Sequence, residues 1–304
     1  MHVYLNGQMV PEDKATVSVH DAGFQHGVGL FETMGVYHAA AFRLQAHLKR
    51  LDRSARELGL TRQLDLQDLE EAVTKTIRHN GLTRARLRLT VTPGNTRPPT
   101  PGQQDLPAPT PTVLVVPTEP TVYDPAYFQR GVTVLIASAS ANPFDPTSGH
   151  KTLAYWGRLR ALREAAAAGA GEALWLDVNN YVASGSVSNV FLVKGGQLLT
   201  PLARGEEVRG GIPAPVLPGI TRAAIIELAE AENLPVQRRM LAVNDLLDAD
   251  EVFLTNSGWL VLPVTRVEKK SIGDGRVGPV TDRLRVALED LIKRETSLRE
   301  SKAV

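Results

Sequence analysis

The sequence predicts a two-domain protein of mixed α/β class, of the α+β kind, in which helices and strands alternate irregularly. Three observations carry that expectation. A chain of 304 residues is longer than one hydrophobic core usually serves. Its segments switch between helical and strand periodicity without the strict strand–helix–strand order of a doubly wound sheet. The stretch from Pro120 to Arg130 separates two patterned regions. The expected boundaries are therefore an N-terminal domain over 1–120, a connection over 121–130 and a C-terminal domain over 131–304.

Each element follows from local pattern. Val3-Tyr4-Leu5 and Met9-Val10 flank Asn6-Gly7, two residues that tolerate positive φ, so a tight hairpin opens the chain. The glycine-rich segment His20 to Gly29 comes next. Its Gly27-Val28-Gly29 opens like a dinucleotide fingerprint but lacks the third glycine and the leading strand, so no nucleotide is assigned. Leu44, Leu48, Leu51, Ala55 and Leu58 recur at helical spacing and Gly59 stops them. A second helix runs from about Leu66 to His79 and ends at Asn80-Gly81. Alternation over Ala85 to Thr92 and the apolar run Val113 to Val116 read as strands. Between them, Pro98 to Pro111 is too rich in Pro, Thr and Gln for regular structure. It is either a solvated insertion or a flap over a site.

The second region opens on the strand Val132 to Ser138. A helix follows Lys151 and runs to Gly169-Ala170-Gly171, then the strand Ala173 to Asp177 and a turn at Asn179-Asn180. The strand Asn189 to Val193 leads into a hairpin through Gly195-Gly196. A helix from Thr221 to Glu232, a strand from Glu251 to Thr255 and a helix from about Thr281 to Arg294 complete the list. No internal repeat is visible.

Composition narrows the function classes. Apolar residues make up 43% and charged residues 22%, the balance of a globular chain. A net charge of +1 gives no bulk attraction to nucleic acid or to an anionic membrane. No cysteine is present, which excludes disulfides and thiolate-bound metals and fits a cytoplasmic location. The start shows no secretory pattern, and no stretch approaches the roughly 20 apolar residues of a membrane span.

Three segments carry chemistry. Lys151 lies in Ser148-Gly149-His150-Lys151-Thr152-Leu153-Ala154-Tyr155-Trp156, among small or apolar neighbours before a helical stretch. A solvated lysine gains nothing at a helix start, where the dipole disfavours a cation, whereas a partly buried amine loses its proton readily, as a Schiff base requires. Ser184-Gly185-Ser186-Val187-Ser188-Asn189 forms a small-residue turn and strand start. Leu217-Pro218-Gly219-Ile220-Thr221-Arg222 opens a helix whose first N–H groups suit a phosphate, or form an ordinary cap. Together these parts fit pyridoxal 5′-phosphate (PLP). Arg50 is either a charged partner for the phosphate or a solvated helix arginine like Arg43, Arg53 and Arg56. Thr255-Asn256-Ser257-Gly258 gathers polar groups at a strand end, as a binding loop or as a plain turn. No histidines share a metal-binding spacing, so no metal is assigned.

The chain resembles the class IV aminotransferases, the PLP fold-type IV family that includes branched-chain and D-amino acid transaminases and 4-amino-4-deoxychorismate lyase. The resemblance runs through Asp21-Ala22-Gly23-Phe24, Phe31-Glu32-Thr33, Phe42-Arg43-Leu44 to Leu51, the Lys151 segment, Ser188-Asn189-Val190-Phe191, Pro218 to Arg222 and Ala249 to Pro263-Val264. It implies two α/β domains with PLP between them, in a homodimer whose partner helps close the site. It makes Lys151 the Schiff-base lysine and Arg50 a phosphate ligand. Gly219, Ile220 and Thr221 would hold the phosphate at the helix start, and Asn256 and Ser257 would approach from another loop. Tyr155 becomes a candidate for the phenolic oxygen, and Ser188 and Asn189 part of the cofactor floor. The implied substrates are a small amino acid and a keto acid. Phe31, Arg88, Arg97 and Gly258 are candidates on the substrate side.

One position departs from the pattern. The family reads Glu-Gly-Ser where this chain has Ser184-Gly185-Ser186, and that glutamate faces the pyridine nitrogen. A carboxylate keeps the ring nitrogen protonated and so maintains the electron sink, while a hydroxyl cannot hold the proton by charge. A weaker sink and slower proton abstraction are expected. Ala154, where the family often has Asn, is a milder departure. Three activities follow: an aminotransferase, a 4-amino-4-deoxychorismate lyase, which Asn256 resembles more, and a PLP-binding protein with little turnover.

Overall fold

The computed structural model describes residues 1–61, 64–96 and 110–300. Arg97 and residues 98–109 of the proline-rich stretch lie outside the described residues. The chain divides into two compact units. The first holds 1–120, 151–154 and 292–304, and the second holds 121–150 and 155–291.

The first unit opens on strands β1 (His2–Leu5) and β2 (Gln8–Pro11). Asn6 and Gly7 between them both take positive φ, at 46° and 92°, as a primed two-residue turn requires. Helix α1 (Ala22–His26) is capped by Asp21, whose carboxylate accepts Gly23 N at 2.7 Å. Strands β3 (Leu30–Tyr37) and β4 (Ala40–Ala41) precede helices α2 (Leu44–Glu57) and α3 (Leu66–His79), and β5 (Arg84–Thr92) and β6 (Thr112–Thr118) close the unit. The sheet runs β2-β1-β6-β5-β3-β4 and every pair is antiparallel. Helix α2 buries Leu44, Leu48, Leu51 and Ala55, and α3 buries Leu69, Ala72, Val73 and Ile77, against Met34, Val36, Leu87 and Leu89 of the sheet. Strand β3 was not among the expected elements. Its core face reads Leu30, Glu32, Met34, Val36, and a buried glutamate in second place spoils the alternation.

The second unit begins with α4 (Pro125–Arg130), a short helix with proline in its first turn and Asp124 as cap. Strand β7 (Val132–Ile136), helix α5 (Trp156–Ala167), and strands β8 (Glu172–Leu176), β9 (Val182–Gly185), β10 (Asn189–Lys194) and β11 (Gln197–Thr200) follow. After them come α6 (Ile220–Ala231), β12 (Val236–Arg238), α7 (Val243–Leu247), β13 (Glu251–Asn256), β14 (Leu260–Val267), β15 (Lys270–Ser271) and α8 (Pro279–Glu300), whose residues from Ile292 on count with the first unit. The main path of the sheet is β12-β11-β10-β13-β14-β7-β8-β9, with β15 paired to β14. Parallel pairs at β14·β7, β7·β8 and β11·β12 sit beside antiparallel ones, so the sheet is mixed. Val132, Val134, Leu174, Val190, Leu192, Leu254 and Leu262 fill its core. Register alone brings Phe191 opposite Phe253, their rings stacked 5.0 Å apart. No helix among the described residues is long and apolar enough to cross a membrane.

Candidate active site

Lys151 is held by backbone pairing. Phe31 N donates to Lys151 O at 2.9 Å, Leu153 N donates to Gly29 O at 3.0 Å, and Leu30 bridges Thr152. The segment thus adds to the end of β3, and α5 starts only at Trp156. The helix expected after Lys151 is present as α5, but it starts too far along for its dipole to act on this lysine, which is set by sheet pairing. Its Nζ stands 4.4 Å from the Phe31 ring centroid, and the Arg88 guanidinium carbon is 3.7 Å from the same centroid. The face of the ring attracts each cation and so lowers the cost of holding it partly out of water.

Arg50 is no solvated arginine; it is 8% exposed. Its Nε donates to Glu32 Oε1 at 2.9 Å, and its Nη2 donates to Glu32 Oε2. His47 Nδ1 lies 2.7 Å from the same carboxylate, and both α2 residues reach the core face of β3. Burial by itself would raise the Glu32 carboxyl, but the Arg50 charge and then His47 outweigh it and hold it at about 2. Burial lowers the His47 pKa against the pull of Glu32, so His47 is neutral at pH 7. The result is a guanidinium fixed in plane by a fork of hydrogen bonds.

In the second unit, Ser184 lies next to the end of β9 opposite Trp175, and Gly185, the last residue of the strand, faces Leu174. Ser184 is 4% exposed and its Oγ accepts from Arg158 Nη1 at 3.2 Å. Beyond it the turn closes over Glu172. Ala173 N donates to Glu172 Oε1 at 2.9 Å, while Val187 N at 3.2 Å and Ser188 Oγ at 3.1 Å donate to Oε2. Burial pushes this carboxyl up against those hydrogen bonds. A side chain at Gly185 would meet Ser188 Oγ and Glu172 Oε2, so only glycine fits the turn.

Asn189 joins that turn to the next. It is buried, and its Nδ2 donates to Leu217 O at 2.9 Å. Its Oδ1 occupies the space that a Cβ on Gly219 would need. Gly219 is the N-cap residue of α6 and no side chain caps that helix. Thr221 lies buried in the first turn and Ile220 half-buried beside it. Arg222 does not face outward with them: it is buried and forks onto Glu206 at 2.8 Å and 2.7 Å.

At the end of β13, the Asn256 carbonyl accepts Gly258 N at 2.8 Å and Trp259 N at 3.0 Å, and its amide donates to Val187 O at 3.3 Å. Asn256 therefore builds its own turn, which carries Ser257 half-buried and Gly258 exposed. Tyr155 stands half-buried just before α5.

Each unit offers groups that fit PLP. In the first, sheet pairing holds the backbone of a lysine; in the second, a helix start without a side-chain cap offers N–H groups and a glycine stands where any Cβ would collide. Thr255 Oγ1, opposite Asn189 in register, is buried with no hydrogen-bond partner among the described residues. Sequence reasoning missed Glu32, His47, Glu172 and Arg158 as contributors. Only sheet register and helix facing bring them in, and Arg158 sits among Arg160 and Arg163 with nothing in spacing to distinguish it.

Comparison with known proteins gives the same answer. The model of the family "Amino-transferase class IV" matches residues 29–267. The branched-chain-amino-acid aminotransferase of Salmonella typhimurium is 32% identical over 303 residues, covering 97% of this chain and 94% of that protein. The crystal structure of the Escherichia coli branched-chain amino acid aminotransferase superposes with a TM-score of 0.85 at 30% identity, over 97% of this chain and 95% of that one. A branched-chain amino acid aminotransferase crystallised with pyridoxamine 5′-phosphate also superposes with a TM-score of 0.85 at 30% identity, over 96% and 93%. The 4-amino-4-deoxychorismate lyase of Pseudomonas aeruginosa superposes with a TM-score of 0.80 at 28% identity, over 95% and 98%. With most of its length matched, this chain belongs to the class IV amino-transferase family.

Proposed function

We propose that this class IV aminotransferase uses Lys151 to carry PLP as a Schiff base and moves an amino group between an amino acid and a 2-keto acid. The observation that carries this is the pinned amine of Lys151 against the Phe31 ring. When bound, PLP supplies the aldehyde that takes up the amino group and the ring that draws electrons from Cα. The residues divide the rest of the work. Lys151, once displaced by substrate, would take the proton from Cα and return it to the cofactor, acting as base and then acid. By the family resemblance, Arg50, oriented by Glu32, and the N–H groups of Ile220 and Thr221 would hold the phosphate, with Gly219 giving room and Ser257, carried on the turn that Asn256 builds, completing the cup. Tyr155 would serve the phenolic oxygen and Ser184 the ring nitrogen. Ser188 and Asn189 brace the floor through Glu172 and Leu217. Arg88 and Phe31, with Gly258, receive the substrate. Relatives named for branched-chain amino acids make leucine, isoleucine and valine the first donors to test. The chain works as a homodimer in the cytoplasm in this reading. Pairing would cover apolar side chains such as Phe24 and Trp156, which are 76% and 80% exposed.

Borohydride reduction of the PLP-loaded protein, followed by peptide mass spectrometry, tests the assignment. The expected adduct is on Lys151, and Lys151→Ala leaves neither adduct nor turnover. An adduct on another lysine, or none, refutes it. A second reading, 4-amino-4-deoxychorismate lyase, is favoured by the superposition on the Pseudomonas aeruginosa enzyme. Elimination needs no amino acceptor, so pyruvate released without a keto acid co-substrate decides for the lyase.

A further inference from the structure

Where the family pattern has a carboxylate at position 184, this fold supplies a cation. Arg158, in the first turn of α5, donates from Nη1 to Ser184 Oγ at 3.2 Å, to Gly185 O at 3.0 Å and to Ser186 O at 3.4 Å. Its guanidinium carbon lies 5.2 Å from the Trp175 ring centroid, and Trp175 Nε1 donates to Ser186 Oγ at 3.0 Å. The arrangement is therefore held on two sides. Among the described residues no carboxylate pairs with Arg158, and the buried Glu172 is taken up by the N–H groups of residues 173 and 187 and the Ser188 hydroxyl. A Ser184 oxygen that accepts from a guanidinium keeps its own hydrogen to give, and no described residue accepts it.

We infer that Arg158 fixes Ser184 as a hydrogen-bond donor to the cofactor's ring nitrogen and, by its charge, keeps that nitrogen unprotonated. This rests on the reading that Ser184 faces the ring nitrogen. The physics runs one way. A pyridinium beside a guanidinium is a like-charge pair and gives up its proton, while a neutral nitrogen accepts the hydroxyl hydrogen that Arg158 leaves pointing away from itself. Arg158 acts through Ser184, so it is a positioning residue. It also changes what restoring the acid would do. In Ser184→Glu the new carboxylate comes within reach of Arg158, pairs with it, and holds the ring proton less firmly than a lone carboxylate would.

The test is nitrogen NMR on protein loaded with PLP labelled with 15N in the ring, with the absorbance band confirming that PLP is bound. The wild type gives the shift of an unprotonated pyridine at neutral pH. Arg158→Gln moves the signal toward the protonated position, and Arg158→Lys, which keeps the charge, stays near wild type. Ser184→Glu falls between the two limits, and Arg158→Gln with Ser184→Glu reaches the protonated limit. A protonated nitrogen in the wild type, or identical shifts in wild type and Arg158→Gln, overturns the inference while the cofactor assignment stands. An Arg158 that only staples the turn would alter stability and leave the nitrogen shift alone. Protein that takes up no PLP overturns both the inference and the reading beneath it.

Discussion

Glu32→Gln tests how the first unit orients Arg50. The wild-type carboxylate is 1% exposed and receives two hydrogen bonds from Arg50 and one from His47. Its pKa falls from 4.5 to about 2 on folding, and at about 1.4 kcal/mol per pH unit this couples ionisation to folding by about 3 kcal/mol. Because the folded value is the lower one, this stability is fully present above pH 4.5 and is lost as pH falls toward 2. His47 adds in the same direction from higher pH. Its folded pKa lies below 6.5, so the unfolded chain takes up that proton first as the solution is acidified. Glutamine keeps the shape and removes the charge, leaving the buried guanidinium without a counter-ion at a cost of about 3–5 kcal/mol. Trp156, Trp175 and Trp259 all belong to the second unit, so tryptophan fluorescence would watch the wrong part of the chain. Amide hydrogen exchange in β3 and α2 watches the right one. A loss of about 3 kcal/mol lowers protection there by more than about a hundredfold. Protection within about threefold of wild type, together with an unchanged acid slope, would refute the reasoning.

Other substitutions read other parts of the site. Gly219→Ala drives a methyl into Asn189 Oδ1, so Asn189 must swing away and abandon Leu217 O. A loss of about 1–3 kcal/mol in thermal or urea unfolding is expected, with weaker PLP binding by equilibrium dialysis. Thr221→Val keeps the helix start and deletes one hydroxyl. PLP affinity falls about tenfold while the fold, followed by circular dichroism, is unchanged. Phe31→Ala removes the ring shared by Lys151 and Arg88, and steady-state kinetics should show a raised KM for the amino donor together with lower kcat.

Much of the fold was legible because its elements obey one period each. Helices α2 and α3 carry apolar residues at unbroken helical spacing, and their ends coincide with Gly59 and with Asn80-Gly81. The Asn6-Gly7 hairpin needed only its turn residues. Three of the strands that escaped share a different trait: each breaks its own pattern for a reason set by a neighbour. Strand β3 buries Glu32 for the sake of Arg50 and His47. Strand β14 carries Pro263 opposite Phe253, where a proline argues against a central strand. Strand β9 ends in Ser184-Gly185, too small to look apolar, because Glu172 and Ser188 crowd the backbone there.

The site divides along the same line. Lys151, the helix start at Gly219 and the small-residue turn stood out as candidates because their residue types are rare in such company. Their supports were not, because support depends on register: Trp175 opposite Ser184, Glu32 facing α2, Arg158 on one side of a helix. Ser184 shows why that matters. From sequence its meaning is subtraction, an acid replaced by a hydroxyl, and adding the acid back should repair the sink. In the fold the hydroxyl has a guanidinium for a neighbour, and the carboxylate of Glu172 is bound to the turn it supports. A carboxylate introduced at 184 would enter an arrangement already built around positive charge. On the inference drawn for Arg158, two substitutions, not one, separate this chain from a fully protonated ring nitrogen, and the second lies in a helix that no motif marks.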